Sequence, residues 1–313
     1  MILKMKNRSF TKRVSKLILF LMLNISFAYA QQQVMYTQYM FNGLAINPAY
    51  AGSHETLSLT ALAREQWIGI DGAPSTQTFS AHAPIKSKRI GVGLLFLNDE
   101  VGVTSQTGAY GSYSYKINFN DNSTLSMGIS GGFTYFDAAF SEVSSVDPSF
   151  QSGDIKEFQP NVGLGLYYYT DRFFAGISTP QVLETTFDKN NEDSDSKLLR
   201  HYFASVGYVM DINHFLKLKP HLLVKYVEGA PVEFDVNASV LFQEVVWLGV
   251  SWRSFDSIDA ILQLQVSNKI QIGYAYDFYT TTDLSRVNVG SHELMLNYRF
   301  DFSKNKVVTP RYF

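Results

Sequence analysis

Basic side chains recur at every second position in Lys217, Lys219 and His221, with Lys225 four residues on, and the next alternating stretch offers Glu233 and Asp235. Amines, an imidazole and carboxylates set in phase like this can stiffen a wall by cross-strand ion pairs, select anions, or grip an inserted polypeptide. The ion-pair ladder is the expected use, because charges enclosed in a polar interior pair or stay wet. Glu293, Arg299 and Asp301 near the chain's end read the same way. The six histidines are His54, His82, His201, His214, His221 and His292. None stands in an H-x-x-x-H pair that would hold a metal on one face. The run Asp188–Ser196 is rich in hard oxygen donors, yet it lacks the glycine and closing glutamate of a calcium loop and reads as a solvated loop. Cysteine is absent, which removes thiol catalysis, thiolate metals and haem attachment. No catalytic residue, metal or cofactor is expected, and no enzyme. A net charge of −2 gives no basic face for a nucleic acid.

What must position these groups is a strict two-residue period. In 293–302, Leu294, Leu296, Tyr298, Phe300 and Phe302 share one face, while Glu293, Met295, Asn297, Arg299 and Asp301 share the other. In 232–240, Val232, Phe234, Val236, Ala238 and Val240 oppose Glu233, Asp235, Asn237 and Ser239. Ile270, Ile272 and Tyr274 oppose Gln271 and Gly273 in the same manner. Such stretches are strands with one apolar and one polar face. They fall at 55–66, 75–84, 89–98, 105–118, 123–137, 158–170, 172–180, 199–212, 215–227, 232–242, 245–254, 258–266, 268–277 and 289–302. Hydrophobic residues make up 46% of the chain, with 24 Phe and 19 Tyr, yet the mean hydropathy is only −0.05. Greasy and polar residues are therefore finely interleaved.

Many of these stretches reach the length of about ten residues that a tilted strand needs to cross a bilayer. Every second connection is short, such as Asn213-His214 and Gln243-Glu244, while several of the others, such as 67–74 and 181–198, are long. The spacing predicts an all-β, transmembrane, antiparallel β-barrel of about fourteen strands over 55–302, with twelve or sixteen as the alternatives. Its apolar face meets membrane lipid and its polar face lines the lumen. Tight turns lie on the periplasmic side of an outer membrane, and an even strand number puts both termini there.

The chain opens with a basic head, the apolar run Leu17–Phe27 and Ala28-Tyr29-Ala30, a secretory signal peptide over 1–30. Residues 31–54 break the alternation. In QYMFNGLAINPAYAGS, and just before it, Tyr36, Tyr39, Met40 and Gly43-Leu44 recur at helical spacing before Asn47-Pro48 bends the chain and Gly52 leads into the first strand. A short helix or irregular turn is expected, packed in the lower lumen as a plug, covered by a partner, or simply closing the barrel floor. Residues 303–313 form a short basic tail.

Tyr39, Phe41, Asn42, Asn47, Pro48, Tyr50 and Gly52, followed by a second block of Arg64, Gln66, Trp67, Gly72 and Pro74, resemble the PorP/SprF family of Bacteroidota outer-membrane proteins. The resemblance implies work with the type IX secretion system and gliding motility. It implies a partner that is either a large secreted surface protein such as an adhesin, or a component of the machinery, within a larger complex. A transport barrel for a small apolar solute and a general porin are the alternative functions.

Overall fold

The computed structural model describes residues 33–85, 88–120, 122–142, 153–186, 197–279 and 286–300. The signal peptide, residues 143–152 of the connection 138–157, the acidic run 188–196 and the tail 303–313 lie outside those residues. The alternating stretches form β1 Leu57–Glu65, β2 Ser75–Ile85, β3 Ile90–Val101, β4 Thr104–Asn120, β5 Ser123–Ala138, β6 Ile155–Thr170 and β7 Phe173–Thr179. They continue as β8 His201–Tyr208, resumed after Val209 as Met210–Asn213, then β9 Leu216–Val227, β10 Glu233–Phe242 and β11 Val246–Arg253. The last three are β12 Ser257–Gln265, β13 Ile270–Tyr279 and β14 Ser291–Phe300. The sheet holds 15 strand pieces; counting the two pieces of β8 once leaves fourteen strands. Each pairs antiparallel with the next, and β14 returns to pair with β1, Leu59 opposite Tyr298 and Arg64 opposite Glu293. Closure leaves no open edge, which hydrocarbon would not tolerate. A two-residue hairpin, Thr185–Thr186 with Lys197–Leu198, sits in the connection between β7 and β8.

The two faces sort as their chemistry demands. Leu294 and Leu296 are 58% and 49% exposed, while Glu293 and Asn297 on the other phase are 1% and 2% exposed. Ile272, Val236, Leu248 and Leu94 likewise point outward. Inside are Ser, Thr, Asn and Gln together with charged groups. A water-soluble sandwich would invert this order, whereas a barrel in lipid requires it. No helix among the described residues is long and apolar enough to cross a membrane; the strands do the crossing.

The polar interior is not left to water. Residues 33–54 enter it, and nearly all of them are buried. They make three single turns of 3₁₀-helix, Tyr39–Phe41, Gly43–Ala45 and Pro48–Tyr50. Pro48 begins the last turn instead of ending a helix, because its fixed φ suits a first position whose N–H has no partner anyway. The segment extends along the lumen between the two ends of the barrel. Gly52 sits beside the β2–β3 turn end, against Gly91 and the Ala83 carbonyl. Tyr36 reaches Thr78 near the other end of β2, and the Gln33 N–H reaches His201 at the start of β8. The described chain therefore begins at the end that carries the long connections and crosses the lumen before β1 starts.

Candidate functional site

The lower half of the inner segment, residues 43–52, is seated by fit and by backbone hydrogen bonds. Carbonyls of Ile46, Ala49 and Ala51 accept from the hydroxyls of Ser178, Ser126 and Ser114, at 2.6, 2.7 and 2.8 Å. The Gly52 carbonyl accepts from the Lys116 ammonium, and its N–H donates to His82 Nδ1. Asn47 accepts from the Ala49 N–H at 2.9 Å and donates to the Leu166 carbonyl at 3.0 Å. A Cβ added at Gly91, Gly128 or Gly165 would run into Ala51, Ala49 or Asn47, so these strand glycines make room for the segment's backbone. Gly52 itself has φ +67°, which glycine adopts without strain. Tyr50 closes this floor: its hydroxyl meets His54 Nε2 at 3.1 Å, and its ring packs edge-on to His82 and Tyr167. The inward alternation supplied small polar residues at the positions the segment's carbonyls reach.

The upper half, residues 33–42, is held by charge and by an apolar cluster in which Tyr36, Tyr39 and Met40 pack with Leu62, Leu95, Phe203, Leu223 and Ile261. Glu293 accepts the backbone N–H groups of Thr37 and Gln38, both at 2.8 Å. The Thr37 hydroxyl donates to Asp277 at 2.8 Å and accepts from Arg64 at 2.7 Å. Arg64 also bridges Asp277 at 2.6 Å and Glu293 at 3.2 Å. Arg253 lies on the far side of Thr37, 3.5 Å from its hydroxyl, and bridges Asp235, Asp256 and Asp259 at 3.3, 3.4 and 3.8 Å. Tyr39 reaches Asp235 at 3.3 Å. Below this clamp, Phe41 stacks under the Lys219 ammonium, which also lies over Trp247.

Above the clamp a cavity of about 470 Å³ opens at the long-connection end, lined by Gln33–Met35, Arg64, Gln66, Trp67, Pro74, Lys225 and Asp235, among others. Here the second sequence block finds its use. Arg64 is the inward residue that grips Thr37. Gln66 and Pro74 close the base of the β1–β2 connection through a backbone hydrogen bond, and Gly72 turns it at φ +72°. Trp67 takes φ +48° and donates its N–H to Ser291.

The expected charge cluster is split by this arrangement. Lys225 and Glu233 bridge across strands at 2.8 Å, as a ladder would. Lys217 instead pairs with Glu244 at the short-turn end, while Lys219 and His221 face the inner segment, His221 with its ring 5.2 Å from that of Tyr39. Asp235 belongs to the Arg253 network. The strip runs the height of the barrel and so cannot act at one place. Sequence reasoning missed Arg253, Asp259 and Asp277 as partners. The signal existed in their inward phase on β11, β12 and β13, but phase does not say which heights meet across a lumen. Among the described residues no group of His, Asp and Glu is placed to hold a metal.

The sequence matches the model of a family described as type IX secretion system membrane protein PorP/SprF over residues 28–298. A comparison with curated proteins finds no match. Among solved structures, the CymD monoaromatic hydrocarbon channel superposes with a TM-score of 0.51 at 13% identity, over 85% of this chain and 94% of that one. Outer membrane protein Omp33 of Acinetobacter baumannii gives 0.47 at 10% identity, over 79% of this chain and 100% of that one. A FadL homologue of Pseudomonas aeruginosa gives 0.42 at 13% identity, over 79% and 89%. At such identities the likeness is one of fold alone.

Proposed function

Because this chain belongs to the PorP/SprF family of type IX secretion system membrane proteins, we propose that it is an outer-membrane accessory that holds a secreted surface protein or a component of the secretion machinery. It is not itself the conduit. The observation that carries this reading is the filled lumen. A porin keeps its charged wall in water; here the wall groups Glu293, Asp277 and Arg64 are spent on the chain's own Thr37 and Gln38. The cavity at the long-connection end sets the charged groups Arg64, Lys225, Glu233 and Asp235 among apolar ones such as Val34, Met35, Leu223 and Phe234, charges that a carrier of purely apolar solutes has no use for. What remains for function is the outer mouth, with its long connections and charged cavity, presented on a rigid ring.

The test is site-specific photocrosslinking in the native host. A photoreactive residue at Phe255, exposed beside the cavity, should trap a protein exported by the type IX route, and the adduct should vanish when that route is disabled. The same residue at Leu296, on the lipid face, should trap none. Actively secreting cells that give no protein adduct from Phe255, or from Trp67, would sink the reading.

A further inference from the structure

β7 is too short for the wall it belongs to. It pairs with β6 from Tyr169 opposite Phe174 up to Leu164 opposite Thr179. There Pro180, which has no N–H for a ladder, ends it. A Cβ at Gly163 would run into the Pro180 carbonyl, so the chain has left the wall for the lumen side. Val182 and Leu183 give β6 one last step. The Val162 carbonyl accepts from the Val182 N–H at 2.8 Å, and Asn161 accepts the N–H groups of both Val162 and Leu183. Phe173 to Val182 is about the length that crosses a bilayer, so the ring is closed as far as hydrocarbon reaches. β6 continues above that level to Ile155. Up there it pairs with β5 on one side and, among the described residues, with no strand on the other.

Backbone groups alternate in direction along an antiparallel strand. Those of Val162 face the open side, so those of Pro160, Phe158 and Lys156 face it too. Pro160 fits this phase, because it stands where β5 asks for no N–H. The edge therefore presents the N–H and C=O of Phe158 and Lys156 and the C=O of Pro160. β8, the other neighbour of β7, begins at His201. Where β7 stops, its two neighbours stand two strand spacings apart, about 9–10 Å, which is room for one strand. On the outward face Phe158 is exposed, with its ring 4.8 Å from that of Phe133. On the inward face Gln159 is 1% exposed, and neither atom of its amide has a hydrogen-bond partner among the described residues. A buried amide in that state wants the polar side chain that a neighbouring strand would supply.

We propose that this notch seats one extended strand of a partner protein, which adds to the β6 edge where β7 stops. An open edge is a template for pairing, and main-chain hydrogen bonds supply the grip. The chemistry of the seat defines the segment. It carries no proline at the positions that face β6, apolar side chains on the phase beside Phe158, and amides or hydroxyls on the phase beside Gln159. This rests on the accessory reading above and names how the partner is held, by its backbone.

Proline substitutions test the edge first. Phe158→Pro removes a donor that β5 does not use, while Glu157→Pro removes one on the phase that faces Phe136 of β5. Phe158→Pro should keep the urea midpoint of Phe158→Ala, which loses the same ring, and Glu157→Pro should lower it. A Phe158→Pro midpoint as low as that of Glu157→Pro would mean that the chain's own connections already cover the edge, and overturns the seat. The probe for the occupant is a fluorescent nonapeptide of alternating valine and glutamine, added to the purified full-length barrel in detergent beside the same peptide N-methylated at every residue. The unmethylated peptide should bind the wild type and Phe158→Ala. Its binding to Phe158→Pro, and that of the methylated peptide to the wild type, should be weaker by about tenfold or more. No binding to the wild type, equal binding to Phe158→Ala and Phe158→Pro, or equal binding of the two peptides overturns the seat. A barrel dimer that Phe158→Pro dissociates would put a second copy in the notch and overturns it as well. In cells, a protein trapped from Phe255 equally well with Phe158→Ala and Phe158→Pro would refute the strand seat and leave the accessory reading standing; no trapped protein in the wild type would refute the accessory reading itself.

Discussion

Arg64 shows how one residue ties the barrel wall to what it encloses. Its guanidinium is 1% exposed and meets Asp277, Glu293 and Thr37 together. Desolvating these ions is costly, and good geometry offsets the cost only while every partner is present. Arg64→Ala leaves two buried carboxylates facing each other and the Thr37 hydroxyl. It should cost about 3–5 kcal/mol of barrel stability, read as a lower urea midpoint for the loss of heat-modifiable migration. Arg64→Lys should recover only part of this, because an ammonium cannot span both carboxylates as the planar fork does. Asn47 makes a quieter contribution: it caps the following 3₁₀ turn and anchors it to β6 with one amide. Both residues were legible as family positions, and neither role could be assigned without knowing what stood opposite.

At the scale of elements, the strands and the inner segment are built for one another. Strand positions that would ordinarily carry a side chain are glycine where the segment's backbone passes. Gly128 faces Ala49 so closely that a Cβ there meets backbone, while Gly131, three residues along the same strand, has open space around it. Gly128→Val should therefore destabilise the protein by about 1–3 kcal/mol, the usual cost of overpacking, and Gly131→Val should leave the urea midpoint nearly unchanged. Similar losses in both would mean that the segment does not pass where β5 leaves room for it. The strand pattern made the barrel readable because alternation is a local property. The segment's three short turns were only half readable: helical spacing of Tyr36, Tyr39 and Met40 was present, but no regular helix forms. A 3₁₀ turn bends more tightly than an α-helix, and the second and third turns here end where luminal hydroxyls of Ser178 and Ser114 take the carbonyls of Ile46 and Ala51.

For the whole molecule, the consequence of an occupied lumen is a prediction about conduction. Residues 33–54 occupy the lumen among the inward side chains of the described strands. Purified protein in planar bilayers should show no steady conductance, and removal of residues 33–52 should produce discrete conductance steps, since the exposed wall would be a ring of Ser, Thr, Asn, Asp, Glu and Arg groups. Steady conductance by the intact chain would place it with the porins instead.

Alternation, strand length and the sorting of connections already determined a transmembrane barrel, because lipid on one side and a polar lumen on the other impose a period of two on every strand whatever its neighbours. The two sequence blocks around Asn47–Gly52 and Arg64–Trp67 already gave the family. Tertiary structure alone decided the direction of the inner segment, the meeting of Arg64 with Asp277 and of Arg253 with Asp235, and the splitting of the Lys217–Lys225 strip into separate neighbourhoods. Those depend on shear and on height across the lumen, which are set only when β14 closes against β1.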